Sequence, residues 1–381
     1  MVFQSAIAPG LGPVTSSAAA AGATLTIDLA AIRRNYRALA ARLKPGTVCS
    51  AVVKADSYGL GAARIAPMLA DAGCRHFFVA HLGEAEAIRP LLPAACAIYV
   101  LHGVMPGAEA ECLAAGATPV LNNLGQIERW AALAKREGRR LPAIVQIDSG
   151  MSRLGLPPEE IERLAAEPER LAGIDVHYVM SHLACADEPS HPANRAQLEA
   201  FEVRRRLLPA APASFAASPG ILLGPDYHFD LVRPGVALYG VSPVSGVPSP
   251  VEPVVRLEAR VVQVREIGPG TGVGYGHTYI AERPMRIAAI SVGYADGWIR
   301  HLGNRGAAFI GAHAAPFIGR ISMDSATIDV SAIPGEIADG TPVELIGPHR
   351  SVEEVAVDAA TIGYEILTNL GTRFHRIYVD A

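Results

Sequence analysis

AVVKADSYG, residues 51–59, decides the fold of this chain. Ala51-Val52-Val53 is a short run of small and β-branched residues bounded by a polar segment that contains Gly59, which reads as the end of a buried strand. Lys54 therefore emerges where a sheet gives way to a loop, and Tyr58 follows four positions later. An ammonium at such a place is costly to desolvate unless it finds a partner or loses its charge. A Schiff base with an aldehyde cofactor is one way to lose it. A lone lysine at a strand end more often snorkels to water, so the neighbouring segments must decide.

Outward from this segment, short apolar runs recur near 48–53, 76–80, 97–101, 118–121, 143–147, 174–180, 213–216 and 230–233. Helical patterns at 62–72, 107–115, 124–137, 157–166 and 193–207 separate most of them. Asp28 is placed to cap a helix through Ile32, Tyr36 and Leu39. Strands alternating with helices argue for a right-handed parallel arrangement. At this length a (β/α)8 TIM-type barrel fits better than an open doubly wound sheet, whose glycine fingerprint after the first strand is missing. After Gly240 comes VSPVSGVPSPVEP, residues 241–253, a Pro/Ser/Gly-rich linker. Beyond it, VVRLEARVVQV, MRIAAISVGY, AAFIGAHAAPFIG, SMDSATIDV and TPVELIG are β-branched runs between turn residues. They predict a mostly β domain, closed by a helix over 352–369 and a strand at RIYV. The expected class is α/β, with residues 1–23 a disordered extension, 24–245 the barrel and 246–381 the β-rich domain.

The 381 residues carry a net charge of −4, which gives no basic field for nucleic acid. Five cysteines form no C-x-x-C pair and read as buried thiols of a reducing compartment, not as a zinc site. Apolar runs stop well short of the ~20 residues a membrane span needs. The first 23 residues hold no Lys or Arg and have Pro9, Gly10, Gly12 and Pro13 among them, unlike an export signal.

A barrel active site forms at the C-terminal ends of the strands. Lys54, Tyr58, Arg153, His182, Ser218, Arg233, Gly235 and Val236 all fall at such places. Each alone has a bland reading: a capped helix for Ser218, a core imidazole for His182, a strand-end ion pair for Arg233. Successive strand ends all presenting polar groups point to one mouth. Ser218 with the backbone at Gly235 and Val236 is a candidate phosphate cradle. In the second domain, GVGYGHTY sets Tyr275 in a Gly-rich turn, where a phenol can act as acid or base.

These residues resemble the alanine racemase family. The resemblance covers residues from about 24 to 381 and rests on AVVKADSYG, GMSRLG (150–155), SHLACAD (181–187), FDLVRPGVALYG (229–240), VGYGHTY (273–279), ISVGYADGW (290–298), GRISMD (319–324) and GYE (363–365). Together and in order they are highly specific. The resemblance implies a pyridoxal 5'-phosphate enzyme interconverting L- and D-alanine for peptidoglycan, cytoplasmic, with no metal, nucleic acid or membrane partner. It implies a homodimer with head-to-tail shared sites. Lys54 would bind the cofactor and serve one face of the substrate Cα, and Tyr275 of the second subunit the other. Arg233 would face the pyridine nitrogen, with His182 beside it. Tyr58, Ser218, Gly235, Val236 and Tyr364 would hold the phosphate. Arg153 and the backbone of Met323 would bind the substrate carboxylate.

Three positions depart from the family's commonest pattern. Gln146 stands where many members carry a lysine that becomes carbamylated and orients Arg153; a bound small anion or a more mobile Arg153 is expected instead. Ala217 replaces an asparagine beside Ser218, and Leu60 a histidine. Competing readings are a broader amino-acid racemase, a pyridoxal-phosphate decarboxylase of similar architecture, and a non-catalytic cofactor-binding protein. The last would not need the second domain.

Overall fold

The computed structural model describes residues 17–244 and 249–380. The chain forms two compact units: residues 30–252, and residues 253–381 together with the segment up to Leu29.

Residues 30–252 make the barrel. Its parallel sheet runs through Val48–Cys49, Leu231–Arg233, Ala213–Ala217, Ile174–Met180, Leu141–Gln146, Thr118–Leu121, Ala97–Val100, His76–Val79 and Ala51–Val52. Val48–Cys49 and Ala51–Val52 are two halves of one apolar run. The first half pairs with Leu231–Arg233 and the second with His76–Val79, so the run closes the barrel. Ser50 at the joint donates its N–H and its Oγ–H to Val232 O, at 3.1 and 2.7 Å. Strands covered on both faces must be apolar throughout. Phe77, Phe78, Ile98, Val100, Val120, Ile144 and Val145 are accordingly inaccessible to solvent.

The helices lie close to their expected spans, including Ala62–Asp71, Leu124–Glu137, Pro158–Ala166 and Ala193–Arg205. Leu124–Glu137 starts at Asn123, whose side chain accepts Gln126 N–H, and stops at left-handed Gly138. Helix Leu82–Ile88 is one the periodicity did not single out. All five cysteines are free thiols, and all but Cys185 are buried.

The barrel begins later and ends later than expected. Strand Ala23–Asp28 belongs to the β unit, between Val255–Ile267 (antiparallel) and His375–Val379 (parallel). Its alternating burial shows a half-covered strand, but alternation does not say which sheet covers it. At the other boundary, Glu252 stays with the barrel. Asn35 accepts Glu252 N–H at 2.8 Å and donates to Glu252 O at 2.9 Å, and Arg34 pairs with its carboxylate at 2.9 Å. The expected linker lies partly outside the described residues, at 245–248, as does most of the 1–23 extension.

The β unit is organised by Val255–Ile267. Its first half pairs with Ala23–Asp28 and Pro342–Ile346, its second half with Met285–Ile290. Register shifts at Leu257/Glu258 and Val261/Gln263 bend it between the two sets of partners. The single helix expected over 352–369 is two, Val352–Asp358 and Gly363–Asn369. Ala360 between them has φ 55°, a left-handed residue that ends the first helix. Among the described residues no helix is long and apolar enough to cross a membrane.

Candidate active site

Lys54 lies two residues beyond the strand Ala51–Val52, at the head of the turn Lys54–Gly59. The turn winds the wrong way: Ala55, Asp56, Ser57 and Tyr58 have φ between 52 and 57° and ψ between 39 and 52°. Four consecutive non-glycine residues in the left-handed region are unfavourable by roughly 1–2 kcal/mol each. The winding carries the chain away from the strand and swings Tyr58 onto the last strand's loop. Its ring packs on Tyr239 with centroids 4.8 Å apart, and Tyr239 donates its hydroxyl to Val52 O at 2.8 Å. Burial, and after it the charge of Arg153, lowers the pKa of Lys54; Glu84 opposes the shift and Arg233 adds to it. More of this lysine is therefore neutral amine than of an exposed one, the form that attacks a carbonyl.

Opposite, Ser218 Oγ accepts the N–H of Gly235 at 2.8 Å and of Ala237 at 3.3 Å. With its lone pairs engaged, the hydroxyl has its own proton left to donate. Val236 opens the short 3-10 turn Val236–Tyr239 beside it. Gly235 is obligatory in this packing, since a Cβ there would overlap the hydroxyl of Tyr58. Tyr58 and Ser218 thus bring two hydroxyls together at the Gly235 backbone, whose own N–H is taken by Ser218 Oγ, and hydroxyl donors are chemistry an oxyanion needs.

Arg233 is 3 % exposed. It donates to Ser214 Oγ (2.6 Å), Ser181 O (2.7 Å), Phe215 O (3.3 Å) and His182 Nδ1 (3.2 Å), none of them a carboxylate. Burial brings its pKa down to about 9, so it stays cationic at neutral pH. His182 is pushed down to about 3, first by burial and then by Arg233, Arg153 and Lys54. A neutral imidazole accepting at Nδ1 carries its proton on Nε2.

Arg153 is presented by a loop that Asp148 organises. Asp148 Oδ1 accepts the N–H of Gly150 and Met151, each at 2.9 Å, and Ser152 completes the nest with φ 55°. Arg204 in turn holds Asp148 O at 2.5 Å. Gln146 is buried at the end of its strand. The barrel unit thus brings Lys54, Tyr58, Arg153, His182, Ser218, Arg233, Gly235 and Val236 to one end. An aldehyde bearing a phosphate fits this donor set: an amine for the carbonyl, a cradle for the anion, and a buried cation between walls without carboxylates.

In the β unit, Tyr275 stands out from the turn Tyr275–His277 and is 71 % exposed. Gly274 and Gly276 on either side have φ 67 and 71°. The guanidinium of Arg320 lies against Gly276, and Gly319 is pressed on Val273, so the Tyr275 turn sits directly against GRISMD. Asn304 joins the two, donating to Thr278 O at 3.3 Å and accepting Gly319 N–H at 2.6 Å. Met323 is exposed on the same turn, and its carbonyl accepts Ala295 N–H at 2.9 Å. Tyr364 lies on Gly363–Asn369, the second of the two short helices.

Sequence reasoning missed Asp148, Glu84, Asn304 and Tyr239. Asp148, two residues before Gly150, carried an Asx-turn signal. Asn304 and Tyr239 act through long-range contacts that no local pattern announces.

Alanine racemase domain models match this chain twice, the N-terminal domain over residues 27–243 and the C-terminal domain over 254–378. A catabolic alanine racemase of Mesorhizobium japonicum is 55% identical over 364 residues, 95% of each chain. An alanine racemase of Brucella canis is 53% identical over 374 residues, 94% of each. The structure of alanine racemase from Bartonella henselae with covalently bound pyridoxal phosphate superposes with a TM-score of 0.92 at 46% identity, covering 94% of this chain and all of that one. Two domain models in tandem and these identities along nearly the whole length leave one assignment: this chain belongs to the alanine racemase family.

Proposed function

We propose that this protein is an alanine racemase that uses pyridoxal 5'-phosphate to interconvert L- and D-alanine. The observation that carries the reading is the left-handed turn after Lys54, which places a partly desolvated amine and, through Tyr58, an oxyanion cradle on one short segment. When bound, the cofactor supplies the electron-withdrawing ring that makes the substrate Cα–H acidic.

Racemisation needs a proton removed from one face of Cα and another delivered to the opposite face. Lys54 Nζ serves the first face. Tyr275 serves the second, from the other subunit of a head-to-tail homodimer. Tyr58, Ser218, Tyr364 and the backbone at Gly235 and Val236 hold the phosphate. Arg233, kept in line by neutral His182, donates to the ring nitrogen without giving up its proton. Arg153 and the Met323 N–H orient the substrate carboxylate. Tyr275 and Tyr364 narrow the entrance and favour a methyl side chain. The D-alanine formed goes to peptidoglycan, made from the cytoplasmic side.

The deciding experiment incubates the purified protein with L-alanine, L-serine, L-lysine or L-arginine in D₂O and follows Cα exchange and D-isomer formation. Alanine should exchange and invert fastest. No conversion of alanine with cofactor bound would overturn the proposal, while equal conversion of lysine or arginine would make the enzyme a broad racemase. Arg233→Glu gives the ring nitrogen a group that can share a proton with it. More of the bound cofactor should then be lost to its amine form per turnover; an unchanged loss would remove Arg233 from this role.

A further inference from the structure

The left-handed turn after Lys54 strings four non-glycine residues in a region each of them disfavours, so the turn persists only where its surroundings over-determine it. Its trailing end is tied by its own segment. Asp56 O accepts Gly61 N–H at 2.9 Å, and Asp56 Oδ1 accepts Ala62 N–H at 2.7 Å. Its leading end, beside the lysine, is tied from elsewhere: Ala55 N–H donates to Glu84 Oε1 at 2.6 Å. The other oxygen, Oε2, accepts Ala80 N–H at 2.7 Å and His81 N–H at 3.1 Å.

We infer that Glu84 is a positioning residue for Lys54: its carboxylate fastens the start of the left-handed turn to the end of strand His76–Val79, and so fixes where the lysine leaves the barrel wall. A glutamate at the third position of helix Leu82–Ile88 has an ordinary duty, reaching back to the N-cap backbone. That duty accounts for Oε2. It does not account for Oε1, which leaves the helix for a segment 29 residues away. A charge-assisted bond of this kind is among the stronger hydrogen bonds and offsets part of the strain in the turn.

The inference deepens the proposed function, because it rests on Lys54 being the amine that takes the aldehyde. The test uses Glu84→Gln in the full chain, read by amide hydrogen exchange with pyridoxal phosphate bound and by the rate at which stripped protein recaptures pyridoxal phosphate across a pH series. Glu354→Gln is the matched control, since Glu354 reaches back to Ser351 N–H in a similar capping box of the β unit. The charged groups acting at Lys54 are Arg153, Arg233 and Glu84, with His102 and His182 feeling its charge. Glu84→Gln should raise exchange over 54–58 at least tenfold and slow recapture about tenfold on the alkaline plateau. Removing a charge that favours the ammonium should also move the recapture midpoint to lower pH. Ala55→Gly in the same background should restore part of the protection, since glycine takes the left-handed region without strain. Faster exchange confined to Leu82–Ile88, with plateau and midpoint unchanged, would reduce Glu84 to a helix cap and overturn the inference. Failure of the unsubstituted protein to recapture the aldehyde would overturn the role of Lys54 instead, while the exchange arm would still decide whether Glu84 holds the turn. If Glu84→Gln does not fold, Glu84→Asp, which keeps the charge but shortens the reach to Ala55 N–H, should raise exchange over 54–58 in the same way, and no rise would overturn the inference.

Discussion

Tyr275→Phe should lower formation of D-alanine from L-alanine by about 10²–10⁴-fold, the usual contribution of a positioned acid or base, and leave cofactor binding within twofold. The asymmetry is the informative part. With one face of Cα unserved, the enantiomer whose proton faces Lys54 should still exchange it in D₂O without inverting. Equal loss of exchange for both enantiomers, or parallel loss of cofactor, would make Tyr275 structural. The same residue tests the sharing of sites. Lys54→Ala and Tyr275→Phe homodimers should each be inactive. Mixed and re-equilibrated, they form hybrids in which one site carries both substitutions and the other neither. Random pairing should then restore about a quarter of full activity. No recovery on mixing, with exchange of subunits verified, would place both bases in one chain.

Gly235→Ala should weaken pyridoxal phosphate binding by ~10–100-fold. The new Cβ would overlap the hydroxyl of Tyr58. Either Tyr58 withdraws, disturbing its packing on Tyr239, or the Gly235 loop moves off Ser218. One phosphate hydrogen bond is lost in each case, and a bond to a charged group is worth about 1.5–3 kcal/mol. Cofactor titration followed by absorbance reads the loss directly. An affinity unchanged within twofold would show that the phosphate is held elsewhere. Thermal stability of the cofactor-free protein should fall much less, because the clash sits at the mouth and not in the barrel core.

Most of the barrel was legible because parallel strands buried on both faces must be continuous apolar runs, and all eight expected runs lie in its sheet. Polar residues at their C-terminal ends then named much of the mouth. The handedness of the Lys54 turn was not legible. Glycine is the usual sign of a left-handed residue, and Ala55, Asp56, Ser57 and Tyr58 carry none; their conformation is imposed by contacts with Glu84, Tyr239 and Gly235. Glu84 was hidden for a related reason, since the helix it starts is only Leu82–Ile88, too short for a clear period. The break in 352–369 fell on Ala360, a good helix former that tertiary context forces to φ 55°. Residues 24–28 read as the start of the barrel, because the partners that place strand Ala23–Asp28 in the β unit lie beyond residue 254.

That strand has a consequence for how the protein is made. The barrel is one uninterrupted stretch of chain, while the β unit needs residues from before and after it. On a ribosome, Ala23–Asp28 emerges before the barrel and waits for both its strand partners through synthesis of the whole barrel. One edge is covered when Val255–Ile267 arrives and the other only when His375–Val379 does. Unpaired edges are templates for aggregation, and domains fold as units in the order they are completed. The nascent chain should therefore carry a finished barrel and a still-open strand edge until His375–Val379 is released, an interval in which that edge is exposed to pairing with other chains.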